Sequence, residues 1–111
     1  MTINEYQELA MTTLNPDLDK KDILVNGVMG LCGESGEAID IVKKYLAQGH
    51  DLETEHLAKE LGDIAWYLAE TATAIGYSLE DIFQMNIDKL RSRYPDGFST
   101  EKSVNRQTGD I

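Results

Sequence analysis

The sequence predicts an all-α fold. Three observations carry that prediction: apolar residues recur every three or four positions over long stretches, turn signals separate those stretches, and no stretch reads as a strand. The first helix spans 2–14, where Tyr6, Leu9, Ala10, Thr13 and Leu14 share a face. Asn15-Pro16 ends it, because a proline keeps the preceding residue out of the helical region. A polar connection follows to Lys21. The second helix spans 22–47, with Val28, Leu31, Cys32, Ser35, Ile39 and Val42 as the inward stripe. Gln48-Gly49-His50 stops it, and Lys43 and Lys44 lie in its last turns, where cations favour the helix dipole. The third helix spans 53–75 on Leu57, Leu61, Ile64, Leu68, Ala72 and Ile75, and Gly76 is its left-handed stop. Ser78 and Asp81 open a fourth helix over 79–93, with Ile82, Phe83, Met85, Asn86 and Leu90 inward. Pro95-Asp96-Gly97 is a turn, and 99–111 reads as a loose polar tail. The expected organisation is one helical domain over 1–98 followed by that tail.

At 111 residues the chain is one domain with a small core. Two long helices of roughly 35–40 Å, at 1.5 Å per residue, joined by the short Gly49–Leu52 connection, are expected to pack antiparallel in a lean four-helix bundle. So little core for such long helices predicts a homodimer or homotetramer. Twenty acidic residues against ten basic ones give a net charge of −10, which argues against nucleic-acid polymers and anionic membranes as partners. No apolar run approaches a membrane span, and MTINEYQELA has no signal-peptide pattern. With a single cysteine, Cys32, the expected location is the cytoplasm.

The chemistry is expected from the acids. Glu34, Glu37 and Asp40 fall three apart on the second helix, and Glu60 and Asp63 do so on the third. No lysine or arginine lies between Asp22 and Asp40. Apolar neighbours such as Leu31, Ile41, Ile64 and Trp66 suggest that these carboxylates are partly buried, where they cannot all stay ionised without a cation. An all-oxygen cage of Glu34, Glu37, Glu60 and Asp63 suits a hard divalent ion, magnesium above all and manganese next. Gly27, Gly30, Gly33 and Gly36 repeat every third residue in the same helix, at about 1 kcal/mol each against alanine. Such a strip admits either a packed helix or a phosphate-bearing ligand. Asn86, Lys89 and Arg93 share one face of the fourth helix, and Lys44 ends the second. Acids for a metal together with bases for phosphate suggest a metal–polyphosphate site.

The runs GLCGESGEAIDIVKK, KELGDIAWYLAE and NIDKLRSRYPDGF resemble the MazG-like branch of the all-α nucleoside triphosphate pyrophosphohydrolases over roughly residues 26–98. That family's mark is E-x-x-E on one helix and E-x-x-D on the next, matched here by Glu34 and Glu37, then Glu60 and Asp63. The resemblance implies magnesium-dependent hydrolysis of a nucleoside triphosphate to the monophosphate and pyrophosphate, and a house-cleaning role in the nucleotide pool. In that reading the four acids hold metal, and Glu34 or Glu37 is the general base. Lys44, Asn86, Lys89 and Arg93 take phosphate oxygens, while Tyr67 and Tyr94 are candidates to stack on a base. Trp66 is another, although packing is its commoner role. Two other classes compete. A di-iron bundle needs two Glu-x-x-His motifs, and only Glu53/His56 has that spacing. A non-catalytic nucleotide- or metal-binding module would not need four uncompensated acids.

Overall fold

The computed structural model describes residues 1–111, and all its regular elements are helices: α1 (Ile3–Met11), α2 (Lys20–Ala47), α3 (Thr54–Ala74), α4 (Leu79–Arg93) and α5 (Thr100–Val104). The expected all-α class is therefore observed. The chain divides into two units, Met1–Leu79 and Glu80–Ile111.

In the first unit, the helix starts follow local chemistry. Thr2 accepts a hydrogen bond from the Glu5 backbone N–H at 3.1 Å, and Asp19 accepts one from Asp22 N–H at 2.8 Å. Each cap satisfies a donor that the first helical turn leaves unpaired. The Asp19 cap starts α2 two residues earlier than the apolar pattern indicates. Gly76, with φ of +81°, makes the left-handed turn after α3.

The helices α2 and α3 pack antiparallel, as their cross-contacts show. Asn26 meets Glu70, a Cβ on Gly27 would lie 2.5 Å from Thr71 Oγ1, and a Cβ on Gly30 would overlap the Tyr67 ring. Positions on α3 descend as those on α2 rise. Gly27 and Gly30 thus serve close helix approach, which a side chain would prevent. A Cβ at Gly33 or Gly36 would meet nothing within 4 Å, so only half of the glycine strip is used inside this chain.

This geometry corrects the inward stripe expected for α2. Val28 is 47% exposed, Ile39 is 66% exposed, and Cys32 and Ser35 are exposed too. The face turned to α3 is instead Asn26, Gly27, Gly30 and Glu34, with Ile41 buried further along. Small residues let the two backbones approach, and that approach outweighs the pull of the apolar stripe. The buried apolar residues are Ala10, Ile41, Ala69, Ala72 and Leu79.

Helix α1 is tied down by polar contacts. The Trp66 indole N–H donates to Ala10 O at 3.1 Å and to Thr13 Oγ1 at 2.8 Å. Gln7 donates to Thr73 Oγ1 and Tyr77 O, both at 3.1 Å, and accepts from Leu79 N–H at 2.7 Å. One amide side chain therefore closes the corner after α3. Glu70 is fully buried, and the Asn26 amide donates to both its oxygens, at 2.7 and 2.9 Å. A buried carboxyl without such a donor would be strongly unfavourable.

In the second unit, no residue from Glu80 onward is fully buried. The segment read as a loose tail carries structure. Ser99 caps α5 by accepting from Lys102 N–H at 3.3 Å, and Tyr94 and Phe98 stack with centroids 5.5 Å apart. Near the end of the chain, Asp110 pairs with Arg93 through two bonds of 2.7 Å each. Five residues of helix and a contact seventeen positions apart leave no periodic trace in a sequence.

Candidate metal and phosphate site

Oxygens of Glu34, Glu60 and Asp63 all lie within 4.8 Å of one another, gathered by the antiparallel register of α2 and α3. The register follows from the Gly27 and Gly30 contacts, so packing and site depend on the same residues. Glu34 and Glu60 are partly buried, while Asp63 is exposed. Hydrogen bonding with Glu60, then burial, then the charges of Asp63, Glu60 and Glu37 push the Glu34 carboxyl above the usual glutamate range. The expected crowding of acids is therefore present, but the sheltered setting is only partial, since Leu61 beside them is 56% exposed.

Glu37 is exposed and does not join the three gathered oxygens; it acts on Glu34 through its charge. Asp40 leaves the acidic stripe altogether. It pairs with Lys43 at 3.1 Å and Lys44 at 3.0 Å, and those bonds hold its carboxyl below the usual aspartate range. Lys44, a candidate for phosphate, is thus engaged by Asp40. Arg93 is engaged by Asp110, while Asn86 and Lys89 are exposed.

Two further residues stand beside the acids, where the sequence did not place them. His56 Nε2 lies 3.2 Å from Glu60 Oε1, and Nδ1 lies 3.2 Å from Glu53 Oε2. Bonding to Glu53 first, and to Glu60 as well, raises the imidazole pKa against the opposing effect of burial. The i, i+4 spacing of His56 and Glu60 was the available signal. Tyr6 on α1 is the other: burial, then the charge of Asp63, pushes its phenol up. No local pattern links residues 6 and 63. Beside the acids, Trp66 and Tyr67 meet edge to face, 5.0 Å between centroids. Together with Glu34 and Asp63 they line an open cavity of about 340 Å³.

Three carboxylates with no lysine or arginine paired to them form an oxygen donor set that fits a hard divalent cation. Residues 26–98 match the MazG nucleotide pyrophosphohydrolase domain. The chain belongs to the MazG family. It is also similar to the gene 37 protein of Mycobacterium phage L5, with 35% identity covering 96% of this chain and all of that one. No solved structure matches it. The MazG match spans α3 and α4 whole, and on α2 it covers the four glycines together with Glu34, Glu37 and Asp40. It leaves out α1 with Tyr6. No helix is long and apolar enough to cross a membrane.

Proposed function

We propose that this chain hydrolyses a nucleoside triphosphate to the monophosphate and pyrophosphate, with magnesium held by Glu34, Glu60 and Asp63. The observation that carries the reading is the convergence of those three acids in a member of the MazG family. A divalent ion supplies charge neutralisation and polarisation of phosphate oxygens at such a site. The chain's own residues do the rest. Glu37, one helical turn from Glu34 but outside the three gathered oxygens, completes the metal shell or accepts a proton. Glu34, within the gathered group, is the other candidate base. Trp66 and Tyr67 offer ring faces and edges to a base in the cavity they line. Lys44, Asn86, Lys89 and Arg93 are assigned to phosphate oxygens. Manganese is the expected substitute ion, and nucleotide-pool cleaning in the cytoplasm the expected role.

We also propose that the chain acts as a homodimer or homotetramer. Support comes from the apolar face that α2 leaves open: Ile39, Val42 and Leu46, with Ala38 and Leu57, line a surface depression of about 560 Å³. A second copy covering that face would complete the bundle that one chain leaves thin.

The test is a panel of ordinary and modified nucleoside triphosphates with magnesium, with products separated by chromatography. Pyrophosphate release is expected. Release of single phosphates, or no turnover of any triphosphate, refutes the reading. Asp63→Asn keeps the shape and removes a charged ligand, so activity should fall by orders of magnitude while the metal-free protein becomes no less stable. Parent activity in Asp63→Asn would remove the metal assignment.

A further inference from the structure

The partner of Arg93 is Asp110, seventeen residues further along the chain. Arg93 Nε donates to Asp110 Oδ2 and Nη2 to Oδ1, both at 2.7 Å. A guanidinium fork makes this same two-bond grip on phosphate. Both side chains are well covered, 11% and 13% exposed. Charge around the pair is unbalanced. Arg93 first, then Arg106 and Lys89 as well, hold the Asp110 carboxyl below its usual range, so three cations act on one acid. Five of the ten lysines and arginines in this acidic chain lie between positions 89 and 106. A doubly charged oxyanion would answer that surplus better than one carboxylate does.

Space and anchoring agree. A cavity of about 330 Å³ lies on the Lys89 side of Asp110, lined by Lys89, Ser92 and the 107–111 segment, and a smaller one of about 40 Å³ lies on the Arg93 side. Apart from the Arg93 pair, Asp110 is held by its own N–H to Gln107 O at 3.1 Å, and Ile111 beyond it is 92% exposed. Gly109, with φ of +88°, brings the carboxylate round to Arg93. The two-bond pair with Arg93 is the direct side-chain contact that holds Asp110.

We infer that Asp110 occupies a phosphate subsite of Arg93 and Lys89, so that residues 107–111 form a latch which a phosphate oxyanion must displace. The inference rests on the assignment of Arg93 to phosphate made above, and adds its regulation. Ligand affinity is then reduced by the fraction of chains in which the latch is closed.

Inorganic pyrophosphate and inorganic phosphate are titrated side by side into the full chain by calorimetry, without metal. The variants are Asp110→Asn, a chain ending at Gly109, Arg93→Gln, and Arg93→Gln with Asp110→Asn. Opening the latch should tighten binding by roughly 5- to 20-fold in the first two, and Arg93→Gln should weaken it about tenfold. Asp110→Asn should add nothing once Arg93 is replaced. A gain confined to pyrophosphate marks a phosphoanhydride as the occupant, and an equal gain for phosphate marks a single phosphate group. If Arg93→Gln weakens binding but neither tail variant tightens it, Asp110 is a strut, and the latch fails while the phosphate assignment stands. If Arg93→Gln binds as the parent does, both fail. The truncated chain decides the matter should Asp110→Asn lose helix content.

Discussion

Two single contacts are worth separating from their elements. Glu70 has the Asn26 amide on both oxygens and is fully buried. Asn26→Ala should therefore cost about 1–3 kcal/mol, the usual penalty for stranding a buried polar group. A lower urea midpoint with an unchanged slope is the expected result, and an unchanged midpoint would mean that water replaces the amide. The second contact predicts a pH dependence. Arg93 holds Asp110 below its ordinary value of 3.8. A depressed carboxyl stabilises fully above the unfolded value, and that stabilisation is lost as pH falls through the folded one. Proteolysis of the C-terminal segment should thus rise below about pH 4 in the parent, as the pair's protonation linkage requires, while Asp110→Asn should be cut faster than the parent above that pH and should lack the step due to this pair. Neither pair was legible in the sequence, because partners 44 and 17 positions apart leave no local pattern. The acids were legible, because i, i+3 spacing on a helix is itself geometry. Glu37 shows the limit of that reading: it shares the spacing, yet its carboxylate stays out of the gathered group.

Among the elements, the helices were readable and the faces of α2 were not. Its observed extent, Lys20–Ala47, follows the apolar recurrence and the Gly49 stop closely. Hydrophobic periodicity gives no weight to glycine or to acids, so the line Gly27–Gly30–Glu34 that meets α3 went unread as a packing face. The two kinds of glycine in α2 should respond oppositely. Gly33→Ala should stabilise the chain by up to about 1 kcal/mol through helix propensity. Gly30→Ala should destabilise it by about 1–3 kcal/mol, because the new methyl overlaps the Tyr67 ring, which must be displaced. Thermal melts of both variants check this, and equal shifts would dissolve the distinction. Helix α5 escaped because five residues are too few for periodicity, although Ser99 three residues before Lys102 carried the cap signal.

For the molecule as a whole, the apolar residues fully buried are three alanines, one isoleucine and one leucine. Long helices with so little buried between them would gain further stability from association. If copies join through the face around Ile39 and Leu46, the melting temperature should rise with protein concentration, since assembly stabilises by mass action. Sedimentation at micromolar concentration should show a dimer or larger. A monomer there with a concentration-independent melt would refute association. Chain length and helix periodicity raised this expectation, because 111 residues leave little core to set against helices of this length. Composition could not say which face stays open, as that depends on which side of α2 the glycines turn toward α3.

The lone tryptophan has an experimental use. Trp66 stands three residues from Asp63, lines the cavity that Glu34 and Asp63 share, and hands its indole N–H to the end of α1. Its emission is therefore a native optical reporter, readable without labelling. Ion binding at the acids should change its intensity, and undocking of α1 should shift its colour toward the red as water reaches the ring. The two events can be followed in one cuvette, and Thr13→Val, which deletes one acceptor, should alter only the second signal.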